Sequence, residues 1–275
     1  MKKKGMILFI HLELIVASII VLVPVFWIIM SSFQQESSLV SATLIPKSFT
    51  LENYRRLFVE TNYINWFWNT LKIAAVNAVF SVFIVMITAW IMSRFQFRGR
   101  KTGLITILLL SMFPTFLSMT AVYTLFLTLG MVGNPVSLII VYIAGAIPYN
   151  TWLVKGYLDG IPKSIDEAAY LDGCGRFQAF FKVLLPVSKP IITYCAVSQF
   201  MLPWMDYILP NMLLSSSDKN KTLAVGLFSM IDGKENSFFT TFAAGAVLIA
   251  IPITLLFIFF QKYLVQGVAA GADKG

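Results

Sequence analysis

The sequence predicts an all-α integral membrane protein with six transmembrane helices, and three observations carry that prediction. The 275 residues are 58% hydrophobic and only 12% charged, with a mean hydropathy of +0.79, too little polar surface to keep a soluble domain of this length dispersed. Six apolar stretches are each long enough to cross a hydrocarbon layer, which takes about 20 helical residues. The lysines and arginines are unevenly shared between the two sides that six crossings create. Fourteen fall on the segments that share a side with the N-terminus, six on the opposite loops, and Lys72 lies within a span. That bias orients both termini to the cytoplasm, and it accounts for the net charge of +8 without nucleic acid as a partner. Cys174 and Cys195 have neither metal-ligand spacing nor a nearby histidine, so free thiols are expected.

The first span, about residues 6–30, follows MKKKG. Its apolar core is too long for a signal peptide and no small-residue cleavage site closes it, so it reads as a retained span. His11 and Glu13 lie near its inner end, where snorkelling suffices, and one histidine makes no proton relay. The outer loop from Ser31 to Tyr63 carries Pro46 and SFTLENYRRLF, a short amphipathic helix at the interface. The second span covers about 64–92, with Trp66, Trp68 and Trp90 expected at headgroup depth. Inside it Asn65, Asn69 and Lys72 form a polar stripe at helical spacing. The stripe either borders a water-filled path or lets Lys72 snorkel or pair with a neighbouring helix.

The third span, about 104–129, and the fourth, about 135–154, form a hairpin over the short turn from Gly130 to Pro135. The fifth, about 191–214, contains Asp206, which either lines a path or bonds across helices. A longer polar loop, Ser215–Phe239, leads to the sixth, about 240–263. Pro24, Pro114, Pro148, Pro203, Pro210 and Pro252 shape the spans by kinking them. No tandem repeat or low-complexity tract divides the chain, so residues 1–275 read as one domain.

Between spans four and five, residues 161–190 are the most informative part. Ser164 followed by Glu167 matches a capping box with acids in the first turn. Ala168, Ala169 and Leu171 continue a short helix that Asp172-Gly173 ends. After Gly175, Phe177, Phe180, Phe181, Leu184 and Leu185 fall on one helical face, with Arg176, Gln178 and Lys182 opposite. Pro186 and Pro190 then stop the helix. Small alanines beside an acid let another protein approach closely. The segment is either an ordinary interfacial helix pair or a rigid knob that passes a partner's push to spans four and five.

No HExxH, P-loop or nucleotide-binding glycine pattern is present. The chain is therefore expected to hydrolyse nothing itself and to bind no cofactor. A proton-coupled secondary carrier, using Lys72 and Asp206, is the rival reading.

EAAYLDGCGRFQAFFKVLLP resembles the "EAA" loop of bacterial ABC importer permeases. NTLKIA, SRFQFRGR, MFPTFLSMTAVYTLF and KTLAVGLF look like the carbohydrate-uptake branch. FAAGAVLIAIPITLLF and YLVQGVAAGADKG are similar to the G-type subunit of maltose/maltodextrin importers. The resemblance spans nearly the whole chain and implies type I ABC importer architecture. It implies that Glu167, Ala168, Ala169, Asp172, Gly173, Phe177, Leu185 and Pro186 form a coupling helix docked on an ATP-binding subunit dimer. ATP and magnesium would sit on that partner ATPase.

It further implies a second, F-type permease subunit carrying most sugar contacts, and an extracellular sugar-binding protein met by loop Ser215–Phe239. A C-terminal tail with Gly271, Lys274 and Gly275 would slip between the ATPase subunits. Lys72, Asn69 and Asp206 stay the candidates for the translocation path, with their structural alternatives open, in a chain expected in the bacterial cytoplasmic membrane. Maltose or maltodextrin is the first substrate, with raffinose-type and galacto-oligosaccharides open. The link GMVGNPV between spans three and four is shorter than in enterobacterial maltose subunits, so outer-face details are not carried over.

Overall fold

A computed structural model describes residues 2–35, 44–232 and 238–272. Among them the regular structure is helical, apart from one bridge between Gln34 and Phe49. They divide into two compact units, Met1–Ile64 with Val225–Pro252 and Asn65–Ala224 with Ile253–Gly275.

The first unit contains α1 (Lys2–Ser32), α2 (Glu52–Val59), α11 (Leu223–Phe228) from Val225 onward and the start of α12 (Phe239–Ala272). The amphipathic α2 forms where the sequence places it, and buries Asn53 and Leu57. Asn53 Nδ2 donates to Ser32 O and Gln34 O at 3.0 and 2.7 Å, and its Oδ1 accepts from Thr240 Oγ1 at 2.9 Å. On the exposed side, a hydrogen bond from Arg55 and the charges of Arg55 and Arg56 hold the Glu52 carboxyl below its usual range. Leu227 packs so closely on Gly245 that a Cβ there would overlap it. From Met6 to Phe26, the large apolar side chains of α1 lie exposed.

The second unit contains α3 (Tyr63–Arg94), α4 (Arg100–Ser111), α5 (Thr115–Thr128) and α6 (Pro135–Gly160). It continues with α7 (Ser164–Leu171), α8 (Arg176–Val187), α9 (Lys189–Met205) and α10 (Ile208–Leu214). Among the described residues four helices, α1, α3, α6 and α12, are each long and apolar enough to cross a membrane. Two bent pairs, α4–α5 and α8–α9, bring the number to six when each is one span.

The expected third span is thus broken by 98°, at Pro114, which lacks an N–H and keeps the preceding residue out of the helical region. The fifth is also interrupted. Asp206 turns to extended backbone between α9 and α10 because Pro210, four residues on, would clash with its carbonyl in a continuous helix. The hairpin between α5 and α6 forms as expected. Gly130 and Gly133 take positive φ, and Asn134 Oδ1 caps α6 by accepting from Val136 N at 3.0 Å.

Two apolar clusters hold the second unit together. One joins Ile73, Phe126, Leu138, Tyr142, Leu209, Leu213 and Leu214. The other gathers Val85, Met86, Trp90, Val154, Leu158, Phe180, Leu184 and Ile191 around the loop between α6 and α9. Two of the three tryptophans that flank the second span, Trp66 and Trp90, are buried against the protein. Trp90 lies in this second cluster, and Trp66 donates its Nε1 hydrogen to Asp218 O at 2.8 Å.

Candidate functional site

The residues from Ile161 to Pro190 form the two short helices, and their ends are set by local chemistry. Glycine at 173 takes φ +82°, and Gly173 N and Cys174 N donate back to Tyr170 O and Ala169 O at 3.0 and 2.9 Å. This paired closure satisfies the last carbonyls of α7. At the start of α8, Gln178 Oε1 accepts from Gly175 N at 3.0 Å. The capping box expected from Ser164 and Glu167 is not formed. Helix α7 begins at Ser164 itself, with Lys163 at the cap position and no side-chain cap bond, which leaves the Glu167 side chain free to face outward.

Helix α8 widens into a π turn over Phe180–Leu184, and Leu185 N donates to Phe180 O, five residues back. Pro186, with no N–H to give, follows directly inside the last turn rather than stopping the helix. The wide turn also splits the expected phenylalanine face. Phe180 and Leu184 are buried, while Phe177 and Phe181 are exposed.

A polar cluster pins these helices to the ends of α3 and α6. Arg94 Nε of α3 stands 2.8 Å from Asp166 Oδ2 of α7, both side chains being about nine-tenths buried (7% and 10% exposed). The approach is off the N–H axis, so the contact is an ion pair rather than an aligned hydrogen bond. Arg94 Nη2 donates to Ile161 O at 3.1 Å. Beside it, Asp159 accepts from Ser93 Oγ and from Lys155 Nζ, each at 2.6 Å. Trp90 stacks on Phe180 with centroids 4.5 Å apart, and the Arg176 guanidinium lies 5.2 Å from the Phe95 ring.

The predicted site residues fall into distinct groups. Glu167, Ala168, Asp172, Phe177 and Pro186 are exposed on α7 and α8, as is Gly173 at their turn. Leu171 joins them with 89% of its surface exposed. Ala169 is buried, so only one of the two alanines of the motif faces outward. Leu185 is half-buried on a roughly 430 Å³ apolar cavity between α3, α8 and α9. Asn69 Nδ2 donates to Lys219 O and Lys221 O at 2.6 and 3.2 Å, pinning a loop. Lys72 is exposed and holds no hydrogen bond or ion pair among the described residues.

Asp206 bonds across helices, accepting from Tyr142 OH at 2.8 Å, and it caps α10 through Leu209 N at 3.4 Å. Gly271 lies within α12, whose backbone continues helical to Ala272; Lys274 and Gly275 lie outside the described residues.

Arg94, Asp159 and Asp166 are the site residues that sequence reasoning missed. Arg94 reads as one more inner-side cation and Asp166 as one more cap acid, and no spacing rule joins them across 72 positions. A second missed feature is a cavity of about 570 Å³ at the α4–α5 bend. Ser111, Ser118 and Tyr149 bring polar groups to its wall, beside Gly145 and Pro148 of α6. It falls in the size range of small-molecule sites.

The comparisons with known proteins agree with this architecture. The family described as "Binding-protein-dependent transport system inner membrane component" matches residues 81–270. A galactooligosaccharides transport system permease protein of Bacillus subtilis is 40% identical over 272 residues, covering 98% of this chain and 96% of that protein. A maltodextrin transport system permease protein of the same organism is 42% identical over 265 residues, covering 96% and 95%. Among solved structures, a chain of a bacterial ABC transporter involved in the import of the acidic polysaccharide alginate superposes with a TM-score of 0.78. At 22% identity it covers 93% of this chain and 95% of its own, which shows a shared fold. With a family match over most of its length and relatives at 40% identity or more along nearly all of it, this chain belongs to the inner membrane components of binding-protein-dependent transport systems.

Proposed function

We propose that the chain is one of two permease subunits of an ATP-driven oligosaccharide importer, for maltodextrins first, moved through α7 and α8 by a soluble ATP-binding subunit. As a member of its family it is a transport component and not an enzyme. The observation that carries the proposal is the outward face of the two short helices. Leu171 is 89% and Phe177 68% exposed, beside the acid Glu167 and the small Ala168. Apolar side chains rimmed by charge mark an interaction surface. Single-residue-wide alanine leaves room for close approach.

The Lys and Arg excess puts this face in the cytoplasm, with both termini on that side of a bacterial cytoplasmic membrane. ATP and magnesium then sit on the ATPase dimer. The exposed apolar length of α1 is covered by lipid or by the second, F-type permease, and residues 1–275 act as a single permease domain. The Ser215–Phe239 loop faces the extracellular binding protein. Its first part is held firm for that task by Trp66, Asn69 and Thr70. For the path through this chain, the cavity at the α4–α5 bend is better suited than Lys72. Ser111, Ser118 and Tyr149 on its wall carry the kind of polar group that orients a ligand in a mostly apolar site.

Galacto-oligosaccharides are the second reading, supported by the 40% identity to a permease named for them. The test is uptake of labelled maltotetraose and of galactotetraose by proteoliposomes holding the complex purified through a tag on this chain. ATP-dependent uptake of maltotetraose supports the first reading, and of galactotetraose alone the second. Uptake of either on a proton gradient without ATP would overturn both in favour of a secondary carrier.

A further inference from the structure

We propose that α3, the second span, is a lever driven by the α7–α8 loop, and that the buried Arg94–Asp166 pair is the strut that drives it. The proposal rests on the ATPase-driven reading above and says where the motion goes. By chain order, α7 and α8 are covalently tied to α6 and α9, so displacement of the loop would be passed to those two spans. Helix α3 has no such tie. Its inner end is instead gripped by side chains from the loop: Asp166 on Arg94 at 2.8 Å, Phe180 stacked on Trp90 and Arg176 on Phe95.

Packed rings can slide past one another. A buried ion pair cannot separate without stranding both charges in a dry site, so Arg94 and Asp166 travel together. The neighbouring acid Glu167 faces the partner, and the two acids thus divide the work of receiving and transmitting. Ser93 and the Asp159–Lys155 pair hold the same end of α3 to α6.

The opposite end of α3 carries a load. Trp66 Nε1 donates to Asp218 O, Asn69 Nδ2 to Lys219 O and Lys221 O, and Thr70 Oγ1 accepts from Leu223 N at 2.8 Å. These bonds fasten the first part of the Ser215–Phe239 loop to the helix. A helix of 32 residues is about 48 Å long and stiff over that distance. Helix α3 therefore joins the face moved by the ATPase to the loop at the far surface. Arg94 and Asp166 are positioning residues in this scheme and touch neither sugar nor nucleotide.

The test uses the complete purified complex in proteoliposomes and reads sugar taken up per ATP hydrolysed. Arg94→Gln and Asp166→Asn should each keep the ATP-binding subunit attached and hydrolysing while uptake per ATP falls about ten-fold, and the exchange R94D/D166R should recover most of it. An unpaired buried charge can also unfold the loop, so a second pair of variants avoids charge. In a C174S background, R94C/D166C should lose coupling and regain it when a short bismaleimide links the two thiols.

Unchanged uptake per ATP in the single variants would overturn the strut, as would a link that blocks uptake. Absence of ATP-driven uptake from the unmodified complex would instead overturn the importer reading itself.

Discussion

Asp166 and Glu167 point in different directions because consecutive helical residues are about 100° apart: one meets Arg94 in the interior and the other faces out. Pattern reading cannot separate them, since both are acids in a first turn, and only the tertiary position of Arg94 decides. Glu167→Lys is therefore expected to remove the ATP-binding subunit from tagged complexes and to abolish ATP-driven uptake, with insertion unchanged. Pull-down followed by a protein-stain ratio reads this directly, and retained ATPase at wild-type ratio would sink the docking role. Asp206 makes a contrasting case, since the sequence leaves it between path and structure, and the chain bonds it to Tyr142. Tyr142→Phe leaves that carboxylate short of a donor, which costs about 1–3 kcal/mol. A lowered melting temperature of the detergent-purified complex is expected for Y142F and for D206A. The double variant should melt no lower than the worse single one; strictly additive losses would show that the two residues act apart.

At the scale of elements, the apolar stretches were legible because hydropathy over a span-length window records the solvent, and the solvent here is lipid. The short helices of the loop were legible too, through Gly173 and the acids before it. What hydropathy does not record is whether a span is straight. The breaks at Pro114 and Asp206 depend on which proline clashes and which is absorbed, and Pro24, Pro148, Pro203 and Pro252 sit inside continuous helices. The π turn at Phe180–Leu184 left no trace in the pattern, so the phenylalanine face was read as whole when it is divided. Turns at positive φ give the clearest element-level forecast. At Gly173 a Cβ would meet nothing, so Gly173→Ala incurs only the left-handed backbone strain, about 1–2 kcal/mol. At Gly133 the φ is +86° and the added Cβ would also lie 2.7 Å from Ser216 Oγ. Gly133→Ala should therefore lower the melting temperature further than Gly173→Ala, and S216A should recover the difference. Equal losses at the two positions would mean that the Ser216 contact is relaxed at no cost.

For the whole molecule, the proposed drive requires the two ends of α3 to face opposite sides of the membrane, and the chain carries its own reporter. Of the two thiols, Cys195 is buried and its Sγ lies 3.9 Å from Asn150 Oδ1, whereas Cys174 is partly exposed in the turn between α7 and α8. A membrane-impermeant maleimide should thus report on Cys174 alone. In the proposed orientation this turn is cytoplasmic, so intact cells should leave Cys174 unlabelled. Inside-out vesicles washed with urea to strip peripheral subunits should label it. The same vesicles with their peripheral subunits still attached should label it several-fold more slowly, because a protein seated over Leu171 and Phe177 also covers the turn beside them. A cysteine placed at Lys219, exposed in the loop tied to the other end of α3, should react with the opposite sidedness in a C174S background. Labelling of Cys174 in intact cells would invert the molecule. It would put the α7–α8 face out of reach of any ATP-binding subunit, and the proposed drive would fall with it. Equal labelling rates before and after stripping would keep the orientation but show that no partner covers the turn.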